Sequence, residues 1–402
     1  MDILIVSPEL PYPPHPGGGD RLRLYYLLKY LARRHSITLL SPVGKNEAPS
    51  RAQLEQFGIS IEAFDEPSQR FLLLRLLPGL FSTKPLAFAT PIMKTLRKEL
   101  RAILGKRDFD LIYLHSWRTG ALLDDVIGRP CVLSPADATS SLFGELSRKS
   151  PSPVDRLHFV IETPRVRAHE ANDYKKATKC IVVSPGDKEI LLRNSSGMDI
   201  TVVPNGVDTD YFKPMSVSSG KLSVIFTGGM AWHPNVDAVL YFYREILPIV
   251  KKSVPELEFY VVGMNPVKAV RDLAADKSVV VTGFVPDIRP YLAQSAVVVC
   301  PLRISFGIKN KVLEAMAMGK PVVGTPPSYD GIDVSYGRDA IVARDPAEFA
   351  AKVVDFLKDG RMRAEIGQNA REFVEKKYSW ERRALEYEQV FIQAISRYRG
   401  IN

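Results

Sequence analysis

The densest group of residues that could bind an anion lies in CPLRISFGIKNKVLEAMAMGKPVV, residues 300–323. A β-type run ends there in a loop with Gly307, Lys309 and Lys311, and a predicted helix then carries Glu314. Free backbone N–H groups and the positive end of a helix favour phosphate, and neighbouring ammonium groups strengthen that preference. Glu314 could accept hydrogen bonds from sugar hydroxyls, although a glutamate near a helix start is also favourable local electrostatics.

Glycine-rich loops follow three of the predicted strands. The first holds 17–19, GGG, before Asp20, the second holds Gly228 and Gly229, and the third begins at Gly283 in GFVPDI. The first loop matches neither GxGxxG, because its glycines are consecutive, nor a Walker A loop, because no GK[ST] follows. It could approach an anion closely, or it could be a surface loop ended by an N-capping aspartate. Backbone groups of the third loop could read a planar base.

Two polar residues follow strands in the first half of the chain. His115 ends DLIYLHS and Asp137 follows CVLSPA. A lone histidine is more often structural than catalytic, so its place at a strand end makes it a candidate. We find no metal-ligand spacing, no Asp-x-Asp at the end of a predicted strand and no GxSxG motif with suitable partners. The sequence therefore supports neither metal-dependent transfer nor covalent serine chemistry, and no metal ligands are assigned.

Short β-branched runs alternate with longer amphipathic runs along the chain. The predicted strands are 3–7, 37–41, 59–63, 111–115, 131–134, 180–184, 200–203, 222–227, 257–262, 278–282, 296–300, 321–324 and 340–343. Predicted helices include 20–34, 162–176, 235–252, 309–318 and 380–397. Continuous apolar strands between helices indicate an α/β fold with doubly wound parallel sheets. Ligands then bind at the carboxyl ends of the strands.

The length of 402 residues exceeds the roughly 250–300 residues that a single core usually serves. We therefore expect an N-terminal domain at 1–211, a Ser-, Gly- and Pro-containing linker at 212–221 and a C-terminal domain at 222–379. A long amphipathic helix begins near Trp380, and from its pattern alone it could pack on either domain.

Composition narrows the class of protein. Lys and Arg number 54 against 45 Asp and Glu, and the surplus of +9 is too diffuse for a nucleic-acid binder but suits an anionic small substrate or membrane surface. Three cysteines in apolar runs, Cys131, Cys180 and Cys300, argue against disulfides and zinc and favour a reducing cytoplasm. Asp2 does not suit a signal peptide, and no apolar run reaches the ~18 residues of a membrane helix.

Several of these segments together resemble the bacterial glycosyltransferase group 1 family, of family 4 type. They are GGGDR, VVPNGVD, FTGGMAWHPN, VTGFVPDI, LEAMAMGKPVV and YSWE. The resemblance covers nearly the whole chain, and the WHPN segment is similar to a subgroup associated with exopolysaccharide synthesis. It implies a GT-B fold, two Rossmann-like domains facing across a cleft, with the final helix, 380–402, crossing back to the N-terminal domain. It also implies a nucleotide-diphosphate sugar as donor substrate, no cofactor, and transfer that retains the anomeric configuration.

The resemblance also implies roles for individual residues. In the first domain Gly18 and Gly19 approach the donor phosphates or the reacting sugar, His115 contacts the transferred sugar, and Gly17 and Asp137 face the acceptor. The residues of the second domain that would bind the donor are Gly228, Gly229, Gly283, Phe284, Val285, Gly307, Ile308 and Glu314. Among them Gly283, Phe284 and Val285 flank the base, Gly307 and Ile308 hold the pyrophosphate, and Glu314 binds the ribose. The catalytic candidates are His115, Lys309, Lys311 and Glu314.

Two departures from the family pattern leave alternatives open. Phe306 stands where the family usually has a glutamate, and GGMAWHP replaces an Arg-and-Lys pair after the first strand of the second domain. Lys309 and Lys311 could supply the missing positive charge. The alternatives are a nucleotide-sugar 2-epimerase of the same fold and a catalytically silent subunit that binds nucleotide sugars. An NAD-dependent dehydrogenase is disfavoured, since no GxGxxG opens either half.

The acceptor is expected to be a glycan or a lipid-linked sugar. The apolar segment SQRFLLLRLLPGLFSTKPLAF, residues 68–88, carries Arg70, Arg75 and Lys84 and could touch an anionic membrane as a peripheral element on its cytoplasmic face. A helix and loop buried against the sheet is the alternative.

Overall fold

A computed structural model describes residues 1–11, 19–67, 82–150, 152–217, 222–304 and 307–400. The chain divides into two compact units, Met1–Pro204 with Arg383–Asn402, and Asn205–Arg382. The described residues do not include Gly17, Gly18, the segment 68–81, Phe306 or the last two residues of the predicted final helix.

The first unit is built on a seven-stranded parallel sheet in the order β3-β2-β1-β4-β5-β6-β7. Its strands are β1 Asp2–Val6, β2 Ser36–Val43, β3 Ser60–Asp65, β4 Leu111–His115, β5 Cys131–Ala136, β6 Lys179–Val182 and β7 Ile200–Val202. Its helices are α1 Gly19–Leu31, α2 Ala48–Gln56, α3 Pro91–Leu104, α4 Thr139–Lys149, α5 Pro153–Asp173 and α6 Pro185–Asn194, with 3-10 turns at Leu86–Ala89, Trp117–Asp125 and Tyr174–Lys176.

The second unit has a six-stranded parallel sheet in the order β10-β9-β8-β11-β12-β13. Its strands are β8 Ser223–Thr227, β9 Glu258–Val262, β10 Val279–Gly283, β11 Val297–Cys300, β12 Val322–Gly324 and β13 Ile341–Val342. Its helices are α7 His233–Tyr241, α8 Leu247–Ser253, α9 Lys268–Arg271, α10 Arg289–Gln294, α11 Asn310–Ala317, α12 Pro346–Lys358 and α13 Gly360–Lys377. A π-helical turn, Phe242–Ile246, joins α7 to α8, and 3-10 turns lie at Asp272–Ala275 and Pro326–Tyr329.

All thirteen predicted strands are present in these two sheets, and the prediction of doubly wound parallel α/β architecture is confirmed. The central strands β1, β4, β8 and β11 are buried along nearly their whole length, as their continuous apolar sequences require when helices cover both faces. The strand order reverses between β1 and β4 and between β8 and β11. The loops after these strands are therefore the expected ligand sites of each unit.

The division between the units falls at Pro204 and Asn205, earlier than the predicted linker at 212–221. Val207 and Phe212 are buried in the core of the second unit, so the start of the predicted linker packs with that unit, whereas residues 213–216 are exposed. Residues 218–221 of the predicted linker lie outside the described residues.

The last helix, α14 Trp380–Tyr398, starts in the second unit and joins the first from Arg383 onward. Its Tyr387 and Phe391 are fully buried, with ring centroids 6.0 and 5.4 Å from the Tyr113 ring of β4. The helix therefore supplies aromatic core to the first unit.

The helix predicted at 162–176 begins earlier, at Pro153, because Ser152 caps it by accepting a hydrogen bond from the Asp155 backbone N–H. Apolar periodicity cannot locate this start, because the first turns carry apolar residues on an exposed face.

Candidate functional site

In the second unit, the loop after β8 is shaped by a close approach of two backbones. A Cβ on Gly263 would lie 1.7 Å from the Gly228 carbonyl oxygen, so only glycine fits there. A Cβ on Gly228, whose φ is +148°, would lie 2.7 Å from the Lys311 Nζ and 2.7 Å from the Asn235 Nδ2. The missing side chain at Gly228 is therefore what makes room for the Lys311 ammonium.

Lys311 reaches this loop from α11. Its Nζ donates to Asn235 Oδ1 at 2.6 Å and lies 4.0 Å from the centre of the Phe226 ring. Asn235 in turn donates from Nδ2 to the Gly229 carbonyl at 2.9 Å. Desolvation and, to a smaller extent, Lys309 lower the pKa of Lys311 to about 8 against the opposing effects of Cys300 and Glu314. The result is a cation held at the end of β8, where the sequence lacks the Arg-and-Lys pair.

Glu314 lies one helical turn beyond Lys311 on α11. Desolvation raises the pKa of its carboxyl group to about 7, and Lys311 opposes the shift. Lys309, directly before the helix, is buried, and its Nζ donates to the carbonyl of Gly307, which has a positive φ of 54°. The structure therefore brings Gly307, Lys309, Lys311 and Glu314 together around the start of α11, and their binding of an anion stays a prediction.

The loop after β10 contributes an exposed aromatic ring. Gly283 has φ of +69° and its carbonyl accepts from the Gly263 backbone N–H at 3.2 Å. Phe284 is 55% exposed, whereas Val285 and Ile308 are buried in the hydrophobic core. Phe284 can therefore present its face to a planar base, while Val285 and Ile308 can contribute only backbone groups.

Asn205 is a site residue that the sequence analysis missed. Its Nδ2 donates to Asn310 Oδ1 at 3.2 Å, at the first residue of α11, and its Oδ1 is buried without a hydrogen-bond partner. Asn205 belongs to the VVPNGVD segment, so this motif was the sequence feature that could have marked it as a candidate site residue. Its pairing with α11 spans more than a hundred residues of sequence and could not be read from local pattern.

In the first unit, His115 lies at the end of β4 and is 2% exposed. Its Nε2 donates to the Asp20 carbonyl at 3.0 Å, and its Nδ1 accepts from the Tyr113 hydroxyl at 3.3 Å. Burial lowers the pKa of His115 to about 4, although Asp20 opposes the shift, so the ring is neutral near pH 7. The Nε2 bond therefore fixes the first turn of α1, directly after the glycine loop, and the Nδ1 bond holds the ring against β4.

A buried arginine supports the same turn. Arg23 on α1 is 1% exposed, and its Nη2 donates to Asp20 Oδ1 at 2.7 Å. Its Nε and Nη1 are buried without hydrogen-bond partners. A buried guanidinium with one carboxylate partner ties the position of Asp20 to that of α1. Arg23 is not among the predicted site residues, because an arginine in a helix usually lies on a solvated face.

Asp137 follows β5, next to Ala136, which has a positive φ of 75°. Ser116, directly after His115, has φ of +78°. Such backbone conformations are costly for residues other than glycine and are often found at functional sites. The loop after Asp137 is held by two carboxylates: Asp187 accepts from the Ala138 N–H at 2.9 Å, and Glu170 accepts from the Ser140 N–H at 2.9 Å.

Gly19 begins α1, beside Asp20, and is the described part of the glycine loop.

Cys131, Cys180 and Cys300 are buried free thiols. Across the described ranges, no three His, Cys, Asp or Glu side chains are grouped to hold a metal ion, and no helix is long and apolar enough to cross a membrane.

Two family models match consecutive parts of the chain. "Glycosyltransferase Family 4" matches residues 17–211, and "Glycosyl transferases group 1" matches residues 221–359. A similar protein of Escherichia coli is UDP-Gal:alpha-D-GlcNAc-diphosphoundecaprenol alpha-1,3-galactosyltransferase, 28% identical over 247 residues. That match covers 56% of this chain and spans 59% of the relative's length.

Solved structures establish the fold. Sucrose-phosphate synthase from Thermosynechococcus elongatus has a TM-score of 0.70 at 17% identity, with 98% of this chain and 99% of that chain covered. Anabaena HepE in complex with UDP-glucose has a TM-score of 0.64 at 17% identity, with 98% of this chain and 100% of that chain covered. The two matching family models, which lie one in each half, and these structural neighbours together show that the chain belongs to the group 1 and family 4 glycosyltransferases and has a GT-B fold of two Rossmann-like domains.

Proposed function

We propose that this chain moves a sugar from a nucleotide-diphosphate sugar to a hydroxyl group of a glycan or lipid-linked acceptor, with retention of anomeric configuration. The observation that carries the proposal is the Lys311 ammonium, held by Asn235 beside the glycine loop after β8 and one turn from Glu314. A cation, glycine-loop amides and a helix start together suit a diphosphate. The Anabaena neighbour, whose structure holds UDP-glucose, supports a donor of this chemical class.

Each end of the donor has a candidate partner in the second unit. The exposed ring of Phe284 stacks on the base, and the ionised Glu314 accepts hydrogen bonds from the ribose hydroxyls. The diphosphate lies against Lys311 and the amides of Gly228, Gly229 and Gly307. Lys309, bonded to the Gly307 carbonyl, holds the loop that carries the last of these amides.

The chemical step follows from this charge distribution. The bond between the anomeric carbon and the leaving phosphate oxygen breaks, and negative charge develops on the diphosphate. The acceptor hydroxyl attacks the same face and passes its proton to that phosphate. Preorganised donors at a developing charge are a dominant catalytic effect, of about 2.7–4 kcal/mol per donor in other enzymes. Because the lysines supply the positive charge, we propose transfer independent of metal ions and cofactors.

The first unit is proposed to bind the acceptor, through Gly17 and Asp137. Gly18, Gly19 and His115 are proposed to lie at the transferred sugar. His115 already bonds the Asp20 carbonyl, so its contribution includes fixing the backbone that follows the glycine loop. The strained backbone at Ala136, directly before Asp137, supports a functional role for that loop.

The biological setting is proposed to be bacterial exopolysaccharide or cell-surface glycan synthesis. The Escherichia coli relative acts on a sugar carried by diphosphoundecaprenol, which supports an acceptor linked to a lipid diphosphate. Such an acceptor places the enzyme in the cytoplasm, in peripheral contact with the anionic inner face of the membrane. The reduced, buried cysteines suit that compartment.

The test is sugar transfer by purified protein with a panel of nucleotide sugars and lipid-diphosphate acceptors. Lys309→Ala/Lys311→Ala should lower turnover by roughly a hundredfold or more. The variant loses both the ammonium group that faces the diphosphate and the lysine that holds the Gly307 loop. Lys268→Ala, which removes an exposed lysine paired with Asp272 in the same unit, is the matched control and should keep wild-type turnover.

Wild-type rates in the double variant would contradict the mechanism, and a product of inverted configuration would contradict retention. Conversion of nucleotide sugar with no acceptor present would instead identify a nucleotide-sugar 2-epimerase. Binding of a nucleotide sugar with neither conversion nor transfer would indicate a silent subunit.

A further inference from the structure

An exposed apolar face runs along α5 in the first unit. Val154, Leu157, Val160 and Ile161 are 76%, 62%, 56% and 40% exposed. They lie at helical spacing, so they form one continuous stripe on this 21-residue helix. Contiguous large apolar side chains on a surface mark an interaction site more often than isolated ones do.

The helix beneath this stripe is well anchored. Its other side buries Glu162, Val166, His169 and Glu170. The Phe159 ring packs at 5.0 Å from Phe143 of α4. The exposed stripe is therefore displayed on a folded helix, in a fixed direction.

Charges on α5 are segregated around the stripe. At 3.6 residues per turn, Arg156 and Arg167 border one side and His158 and Arg165 border the other. Arg156 and Arg167 are exposed, and neither forms an ion pair within the described parts of the chain.

The acidic residues of α5 lie away from the stripe. Asp155, in the first turn, is exposed, and at 3.6 residues per turn it falls on the side of the helix opposite the stripe. Glu162 accepts from the Leu86 N–H at 2.8 Å and from Arg165 Nη1 at 2.9 Å, and Glu170 accepts from Ser140. Asp173 pairs with His169 Nδ1 at 2.6 Å. The solvent side of α5 thus combines an apolar stripe with basic borders.

We propose that this face of α5, Val154, Leu157, Val160 and Ile161 with Arg156 and Arg167, binds an anionic phospholipid membrane, with the helix lying in the interface plane. An apolar stripe flanked by arginines has the composition of such interfacial helices. A second copy of the chain fits less well, because a twofold contact would bring the same arginines together. The inference rests on the proposed lipid-linked acceptor, since docking here would bring the acceptor-binding unit to the bilayer.

The test is flotation of the purified full-length protein with vesicles of phosphatidylglycerol and phosphatidylcholine. Wild type should bind, and binding should fall with added salt and on vesicles of phosphatidylcholine alone. Leu157→Glu/Val160→Glu should reduce the partition coefficient about tenfold or more, because two apolar side chains leave the interface. Leu385→Glu/Ile392→Glu on α14, both 43% exposed, makes the same charge change elsewhere and should bind as wild type does.

Each contrary result overturns the inference. The inference is wrong if wild type does not bind the vesicles, or if both double variants lose vesicle binding equally. It is also wrong if wild type is a dimer that the α5 variant converts to monomer without any change in vesicle binding. If the α5 variant melts at a lower temperature than wild type but binds vesicles equally well, another part of this chain covers the stripe. Transfer to a water-soluble acceptor is measured in parallel and should be unchanged in the α5 variant. Absence of transfer to every acceptor tested with wild type would reject the proposed function alone, because vesicle binding is measured without it.

Discussion

Lys311 places a positive charge beside a glycine loop that has no lysine or arginine of its own. The loop after β8 has no basic residue before His233, and its glycines leave space for the Lys311 ammonium. Asn235 orients that ammonium, and the Phe226 ring beneath it offers a favourable face. The charge therefore reaches the end of β8 from α11, at the cost of desolvation that lowers the lysine pKa.

Donor binding should depend on pH through two groups of this site. Lys311, with a pKa lowered to about 8 by burial, loses its charge above that pH, whereas Glu314, with a pKa raised to about 7 by burial, becomes ionised above pH 7. We expect the affinity for the nucleoside diphosphate of the donor to be highest between about pH 7 and 8 and to fall by roughly tenfold towards pH 9.5, measured by calorimetry.

Two variants separate the alkaline side of this pH profile from its acid side. Lys311→Arg keeps its charge at alkaline pH and should flatten the alkaline fall, whereas Glu314→Gln should flatten the acid side. An alkaline fall of the same size in Lys311→Arg would show that another group controls binding.

His115 and Arg23 illustrate what a residue type cannot reveal. The position of His115 at a strand end is readable from the sequence, but its bond to the Asp20 carbonyl depends on how α1 packs across β4. Arg23 looks like a surface residue until the fold buries it. Long-range packing, and not local pattern, decides whether such a side chain is solvated or part of a site.

Among the elements, strands were the easiest to predict. Each is a short apolar run between polar segments, and β4 was predicted with its observed bounds, Leu111–His115. Helix boundaries were harder, since α5 begins with exposed apolar residues and α7 passes through a π-helical turn before α8. The candidate residues around α11 could be predicted because they are close in sequence, whereas Gly263 and Asn205 reach that site only through tertiary contacts.

The α4–α5 pair should make the first unit sensitive to pH. Burial raises the pKa of Glu170 to about 7 from 4.5, while hydrogen bonds from Ser140 oppose the shift. A carboxyl whose folded pKa is raised stabilises the fold below its unfolded pKa and loses that contribution as pH rises through about 7. This pKa shift corresponds to a loss of about 3 kcal/mol in the free energy of unfolding between pH 4.5 and pH 8.

Urea unfolding at several pH values tests this element. Glu170→Gln keeps an acceptor for the Ser140 N–H and should be less sensitive to pH than wild type, whereas Glu189→Gln, an exposed residue on α6, should follow wild type. Identical pH profiles for Glu170→Gln and wild type would contradict the assigned role.

At the scale of the whole molecule, each unit has its own parallel sheet and its own buried core. The chain nevertheless does not divide at a single point, because α14 starts in the second unit and its residues from Arg383 complete the first. Val390, Phe391 and Ala394 are buried there, together with Tyr387. The folding of the first unit therefore requires residues nearly two hundred positions after its last strand.

This connectivity predicts which unit a mutation in α14 destabilises. Phe391→Ala removes a fully buried ring beside Tyr113 and should lower the stability of the first unit by about 3–5 kcal/mol. Phe242→Ala, a fully buried ring 4.7 Å from Phe259, makes the same change in the core of the second unit. Hydrogen exchange followed by mass spectrometry should show faster exchange in β1 and β4 for the first variant and in β8 and β9 for the second. Faster exchange confined to β8 and β9 in Phe391→Ala would mean that α14 stabilises the second unit instead, because core amides exchange only when their own unit opens.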